Sequence, residues 1–291
     1  MPAFPFVTVD VFTDRRFGGN PLAVFTDARG LSDADMLHLA NEMNLSETTF
    51  VLPPADPANT ARVRIFNTTA EMPFAGHPMI GTGWVLAQRG LGRDGVLSFE
   101  VPAGLVEVQA TAAGAVISAP RPLVIGQELP VEAVAACASL TAADIVTGAH
   151  RPVCASVGVD FAFAEVTLDA LSRAAPDVTA FRRALAEAPA MDDQRMSLHL
   201  YAREAPGRLR ARMFAPLTGT FEDPATGSAN ATLAALLLSL GEEERATFEI
   251  VQGVEMGRPS RLTATATRQA DGVRATVGGG CVPVLSGQAE L

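Results

Sequence analysis

Two short stretches gather groups able to hold an anion and to move a proton. One is FEDPATGSANA, residues 221 to 231, which runs into the apolar TLAALLLSL. The other is HPMIGT, residues 77 to 82. Asp before Pro suits a helix start, since the Asp side chain accepts a backbone N–H and Pro fits the first turn. Gly227 and Ser228 then offer bare amides and a hydroxyl beside the positive end of the helix dipole, a setting for a carboxylate. The helix behind is apolar around most of its circumference, as expected of one enclosed by its own domain. Only its end is then open to chemistry, which explains why the polar residues crowd there.

Either stretch alone reads equally well as ordinary capping, and His77 alone as a satisfied core histidine. Together they say more. His77-Pro78-Met79-Ile80-Gly81-Thr82 matches Asp223-Pro224-Ala225-Thr226-Gly227-Ser228 at an offset of 146 residues, about half of the 291-residue chain. Each copy follows a strand bearing arginines and a phenylalanine (Arg62 to Phe66, Arg210 to Phe214) and precedes an apolar helix. Such a recurrence points to a duplicated domain. It places Asp223 and His77 in matching positions and both helix starts at one cleft between domains, with a carboxylate substrate between them. Glu222 steadies Asp223 or is simply solvated.

The elements that must position these residues follow from pattern and punctuation. In the first half, strands are predicted over Phe6 to Phe12, after the Gly-Gly-Asn-Pro turn, over SETTFVL, and over Arg62 to Phe66. A helix opens at Ser32, with Asp35 completing a capping box, and stops at Asn44. A second helix follows PFAGHP and ends at Gly90. Strands cover Val96 to Val108 and Gly114 to Ser118, and Pro120 to Pro130 reads as a linker. Beyond it come helices at Val131 to Ser139 and Leu168 to Ala186. Strands lie within Val153 to Val166, at Ser197 to Ala202 and at Leu209 to Phe214. After the helix ending at Leu240, strands cover Thr247 to Val251, Arg261 to Thr267 and Val273 to Val277.

Composition sets the outer limits. A hydrophobic fraction of 48% with only 6% aromatics describes a globular chain with an aliphatic core. A net charge of −10 argues against a nucleic-acid groove, which needs clustered Lys and Arg. Cys137, Cys154 and Cys281 show neither zinc spacing nor a disulfide framework, which fits a reducing cytoplasm. No secretory signal is visible, and the apolar run from Ala231 to Leu240 is too short to cross a membrane.

Taken together, GNPLAVF (19–25), MNLSETTFVL (43–52), EMPFAGHPMIGT (71–82), EDPATGSA (222–229) and VQGVEMGRPSR (251–261) resemble the PhzF family, named for the isomerase of phenazine biosynthesis. The resemblance runs from Val9 into the C-terminal GGGCVPVLSGQAEL. It implies an α/β (α+β) fold like that of diaminopimelate epimerase, with two pseudo-symmetric domains, each a curled, mostly antiparallel sheet around a central helix. The domains expected are 1–118 and 119–272, with 273–291 packing back on the first. The family's acid/base glutamate falls on Glu47, which the residues alone leave as an unremarkable strand-edge carboxylate. The resemblance makes Glu47, His77 and Asp223 catalytic, and assigns substrate binding to Ser46, Gly76, Gly81, Thr82, Gly227 and Ser228. It implies proton transfer between carbons of a small carboxylate without metal, nucleotide or flavin, in a homodimer. A two-thiol epimerase is disfavoured, since neither motif contains a cysteine. A non-catalytic binding protein of the same fold is the other alternative.

Overall fold

The structure is a computed structural model and describes residues 2–187 and 196–291. Two compact units emerge: the chain up to Ser118 together with Gly278–Leu291, and Ala119–Val277.

The first unit contains β1 (Ala3–Val11), β2 (Asn20–Phe25), α1 (Asp33–Met43), β3 (Glu47–Leu52), β4 (Ala61–Phe66), β5 (Glu71–Met72), α2 (Gly76–Gln88), β6 (Val96–Val101), β7 (Gly104–Ala110) and β8 (Gly114–Ser118). Strand β1 pairs antiparallel with β2, β2 parallel with β3, β3 antiparallel with β4, and β4 parallel with β6. Antiparallel pairs then join β6 to β7 and β7 to β8. Helix α1 has the expected capping box: the Ser32 hydroxyl accepts from the Asp35 amide and the Asp35 carboxylate from the Ser32 amide. It ends where Asn44 turns left-handed.

The second unit contains β9 (Val124–Glu128), α3 (Val131–Cys137), β10 (Ile145–Val146), β11 (Val153–Ser156), β12 (Asp160–Val166), α4 (Leu168–Arg173), α5 (Val178–Glu187), β13 (Leu198–Ala205), β14 (Arg208–Ala215), β15 (Thr220–Asp223), α6 (Gly227–Ser239), β16 (Arg245–Gln252) and β17 (Ser260–Gln269). The last strand, β18 (Gly272–Glu290), begins in this unit and finishes in the first. The order of pairings repeats: β11–β12 antiparallel, β12–β13 parallel, β13–β14 antiparallel, β14–β16 parallel, β16–β17 antiparallel. In the first unit β18 pairs with β1 and also with β8, so the ring of strands closes around α2.

Both central helices have 13 residues, and the first eleven in α2 and all but Ser228 of the first twelve in α6 are buried. Their surroundings are packed to van der Waals contact. A Cβ on Gly81 would lie 2.6 Å from Leu22 Cδ2, so only glycine lets α2 sit this close to β2. Outside the ring, α1 covers Phe4, Phe25, Phe50 and Phe66, with Phe25 stacked on Phe50 at 4.9 Å. Each such ring contributes roughly 2–3 kcal/mol by leaving water.

The duplication is real but its register differs from the one expected. Helices α2 and α6 begin 151 residues apart, at Gly76 and Gly227. In that register Glu71-Met72-Pro73-Phe74-Ala75-Gly76-His77 lies over Glu222-Asp223-Pro224-Ala225-Thr226-Gly227-Ser228. Strand pairing agrees: Met72 opposes Ile65, and Asp223 opposes Met213. Side chains agree too. Arg64 stacks on Phe66 at 5.1 Å and binds Glu71, while Arg212 stacks on Phe214 at 4.9 Å and binds Glu222. His77 therefore corresponds to Ser228, and Asp223 to Met72. The match of His77 to Asp223 is coincidental, because His77-Pro78 lies inside its helix and Asp223-Pro224 before its own.

Other boundaries also need correction. The segment read as a linker holds strand β9, which pairs with β11. Its five residues are all exposed, so no alternation marks it. The single helix expected over Leu168 to Ala186 is two, because Pro176 cannot continue a helix and Asp177 caps the next by accepting from the Thr179 and Ala180 amides. The strand from Val96 to Val108 is a hairpin turning at Pro102 and Ala103, and the final strand runs on to Glu290. The return to the first unit comes at Gly278 rather than Val273.

Candidate active site

In the first unit, three local features bring a carboxylate and an imidazole together. The left-handed turn at Asn44 ends α1 and delivers Ser46 and Glu47 to the start of β3, where Glu47 lies beside Leu22 of β2. Asn20 opens β2. His77 is the second residue of α2, so its ring leaves the helix at the N-terminal end. The result is a short chain of polar groups. The Ser46 hydroxyl donates to Asn20 Oδ1 at 3.3 Å, which turns the Asn20 amide group toward His77 Nδ1 at 3.4 Å. With Nδ1 accepting, the ring proton of a neutral His77 sits on Nε2, 3.5 Å from Glu47 Oε2.

Only 17% of the Glu47 side chain is exposed, and Oε2 is buried without a hydrogen bond. Burial raises its carboxyl from the usual range to about 7. A carboxyl held there passes easily between base and acid near neutral pH. Asn20 is a member of this group that the sequence marks only as part of a turn, within GNPLAVF.

Two residues expected to bind substrate are engaged within the fold. Gly81 lies in the second turn of α2, where its amide belongs to the helix, and its role is the close approach to Leu22. Thr82 is fully buried, with its hydroxyl 2.8 Å from that of Thr49, tying α2 to β3. Gly76 does open its helix, as Gly227 does in the second unit.

In the second unit Asp223 ends β15 and does not cap the helix; the cap residue of α6 is Thr226. The Thr226 hydroxyl donates to Asp223 Oδ2 at 2.6 Å. Gln252, the last residue of β16, supports this turn from beneath, donating to the Asp223 carbonyl at 2.8 Å and accepting from the Thr226 amide at 3.3 Å. Gly253 follows in the left-handed region at φ 74, and a Cβ there would lie 2.5 Å from the Pro224 carbonyl oxygen. Glu222 does steady this corner: Arg212 binds both of its oxygens at 2.8 Å while donating to the carbonyls of Leu171 and Ala174. Ser228 is the second residue of α6 and remains partly exposed.

Among the described residues no group of three His, Cys, Asp or Glu side chains is arranged to hold a metal, and no helix is long and apolar enough to cross a membrane. The three cysteines are buried, with thiols pushed up to about 12, 11 and 12 for Cys137, Cys154 and Cys281. None is poised as a thiolate base.

Comparison with known proteins decides the family. The PhzC-PhzF family, described as phenazine biosynthesis-like protein, matches residues 9–287. The chain belongs to the PhzC-PhzF family. An uncharacterized isomerase of Mesorhizobium japonicum is 36% identical over 97% of each chain. The trans-2,3-dihydro-3-hydroxyanthranilate isomerase of Pseudomonas fluorescens is 37% identical over 91% of each. A PhzF-family crystal structure from Bacillus anthracis superposes with a TM-score of 0.89, at 24% identity and complete coverage of both chains, and so shares the fold. This PhzF-family chain is thus a member of an isomerase family with the mixed α/β architecture expected of it.

Proposed function

We propose that the protein isomerises a small amino-carboxylate by moving one proton between two carbons, with Glu47 as both base and acid. The observation that carries this is the Glu47 carboxyl itself: buried, raised to about 7, and facing a histidine whose ring is held in one orientation. Carbon acids are weak, so their base must be close and poorly solvated. Glu47 takes the proton, the carbanion charge spreads into the substrate's conjugated carboxylate, and Glu47 returns the proton to another carbon. The reaction is balanced without redox change. His77 orients the substrate. Amides at the helix starts of Gly76 and Gly227 and the Ser228 hydroxyl bind its carboxylate and stabilise developing charge. Asp223 takes the amino group.

The Pseudomonas fluorescens relative named above supports trans-2,3-dihydro-3-hydroxyanthranilate as the first substrate to test. In deuterated water the wild-type protein is expected to incorporate deuterium as the ultraviolet spectrum of this compound changes, and Glu47→Gln to do neither while still binding it. Exchange at the wild-type rate in Glu47→Gln would refute the assignment. Binding without turnover by the wild type would favour a non-catalytic role.

A further inference from the structure

Beneath Asp223 lies a buried polar chain that no step of the proposed reaction uses. It comprises His199 of β13, Asn230 of α6, Gln252 of β16 and Thr226, all within the second unit. His199, Asn230 and Gln252 are fully buried, and Thr226 nearly so. We propose that Gln252 is a positioning residue that fixes the direction of a hydrogen-bond relay running from His199 through Asn230 and Thr226 to Asp223, so that Asp223 is held as a carboxylate acceptor. The consequence for substrate rests on the reading that Asp223 binds an amino group.

Three backbone groups dictate the direction. The Thr226 amide can only donate, and it faces Gln252 Oε1 at 3.3 Å. The Asp223 carbonyl can only accept, and it faces Gln252 Nε2 at 2.8 Å. The Gln252 amide is therefore set one way round; flipping it would oppose donor to donor and acceptor to acceptor. The Thr226 carbonyl similarly accepts from Asn230 Nδ2 at 3.0 Å and fixes that side chain. The rest follows. Asn230 Nδ2 also donates to Gln252 Oε1 at 2.7 Å, so Asn230 Oδ1 is left to accept from His199 Nε2 at 3.2 Å. Gln252 Nε2 donates its second proton to Thr226 Oγ1 at 3.1 Å, and the one hydroxyl proton of Thr226 goes to Asp223 Oδ2 at 2.6 Å.

Each link thus donates toward Asp223, and bonds polarised in one direction reinforce each other. The chain begins in a neutral imidazole carrying its proton on Nε2. Burial favours that neutral form, lowering the His199 value to about 4. It ends on an oxygen that must accept. Gln252 uses all four of its hydrogen-bonding positions in this arrangement, which neither Glu nor Leu could reproduce.

The test reads the relay apart from catalysis. Carboxyl NMR of 13C-aspartate-labelled protein, with the Asp223 signal assigned by its loss in Asp223→Asn, gives its titration. Thr226→Val is expected to raise the Asp223 pKa by about one unit, as loss of a charge-assisted hydrogen bond does. Thr226→Ser is expected to leave it unchanged. Gln252→Met, which removes the donor that directs the Thr226 hydroxyl without adding a charge, is expected to raise it as well. Glu222, next to Asp223 in the chain, and Arg212, which binds it, are common to all these variants, so the difference reads the relay. An Asp223 pKa unchanged in Thr226→Val, or a His199 ring with its proton on Nδ1 by 15N NMR, overturns the proposal. With trans-2,3-dihydro-3-hydroxyanthranilate, Thr226→Val is expected to raise KM about tenfold with a smaller change in kcat, and Thr226→Ser to restore it. Absence of wild-type turnover would remove the functional reading but leave the NMR result decisive for the relay.

Discussion

Glu47 and His77 show how far single residues can be read. Nothing in the composition around Glu47 marks it as a base; the SET sequence pointed to it only through the family resemblance. What makes it one is burial at the start of β3 and a histidine brought up by α2, neither of which a local pattern states. Its raised carboxyl has two measurable consequences. First, kcat/KM is expected to rise with pH through about 7 as the base form appears, and a profile flat from pH 5 to 9 would count against Glu47 as base. Second, the folded protein binds this proton more tightly than the unfolded chain does. That stability is fully present below the unfolded value of 4.5 and is lost as pH rises through about 7. Glu47→Gln has no such penalty, so denaturant unfolding at pH 8 is expected to show it more stable than wild type by up to about 3 kcal/mol, with the gap closing by pH 4.5. Asn20→Ala frees the ring of His77 and is expected to lower kcat/KM roughly tenfold with little change in melting temperature.

At the scale of elements, long periodic segments and capped helices were legible, and short or exposed ones were not. Helix α1 announced itself by Ser32, Asp35 and Asn44. Strand β9 did not, because it has no buried face, and the break between α4 and α5 is marked in the sequence only by Pro176. The turn before α6 was legible as a helix entrance but not in its details, since its cap depends on Gln252, distant in sequence. Gly253 is the point where β16 meets that turn. Gly253→Ala adds a Cβ against the Pro224 carbonyl at a left-handed φ, and is expected to cost about 2 kcal/mol or more in denaturant unfolding. Isomerase activity is expected to fall further than stability explains, because Asp223 sits on the displaced turn. Wild-type stability in this variant would show that the turn has room to spare.

For the whole molecule, the duplication was the most informative inference and also the one most easily misaligned. Half-length recurrence of a Pro and Gly motif pointed to two like units through a match in the wrong register, and only strand pairing and the Arg64–Glu71 and Arg212–Glu222 pairs fix the true one. The chain order has its own outcome. Strand β1 finds its partner in the last part of β18, from Cys281 to Glu290. A protein ending after Val277 is expected to keep a protease-resistant second unit while the first is digested; equal resistance of both would argue that the ring need not close. During synthesis the same order imposes a wait. About 160 residues must leave the ribosome after Ser118 before the opening segment meets its closing strand, on the order of ten seconds or more at ordinary rates of synthesis. For that interval β1 and β8 each keep an edge without the strand that covers it in the finished fold, the kind of template on which strands of other chains add.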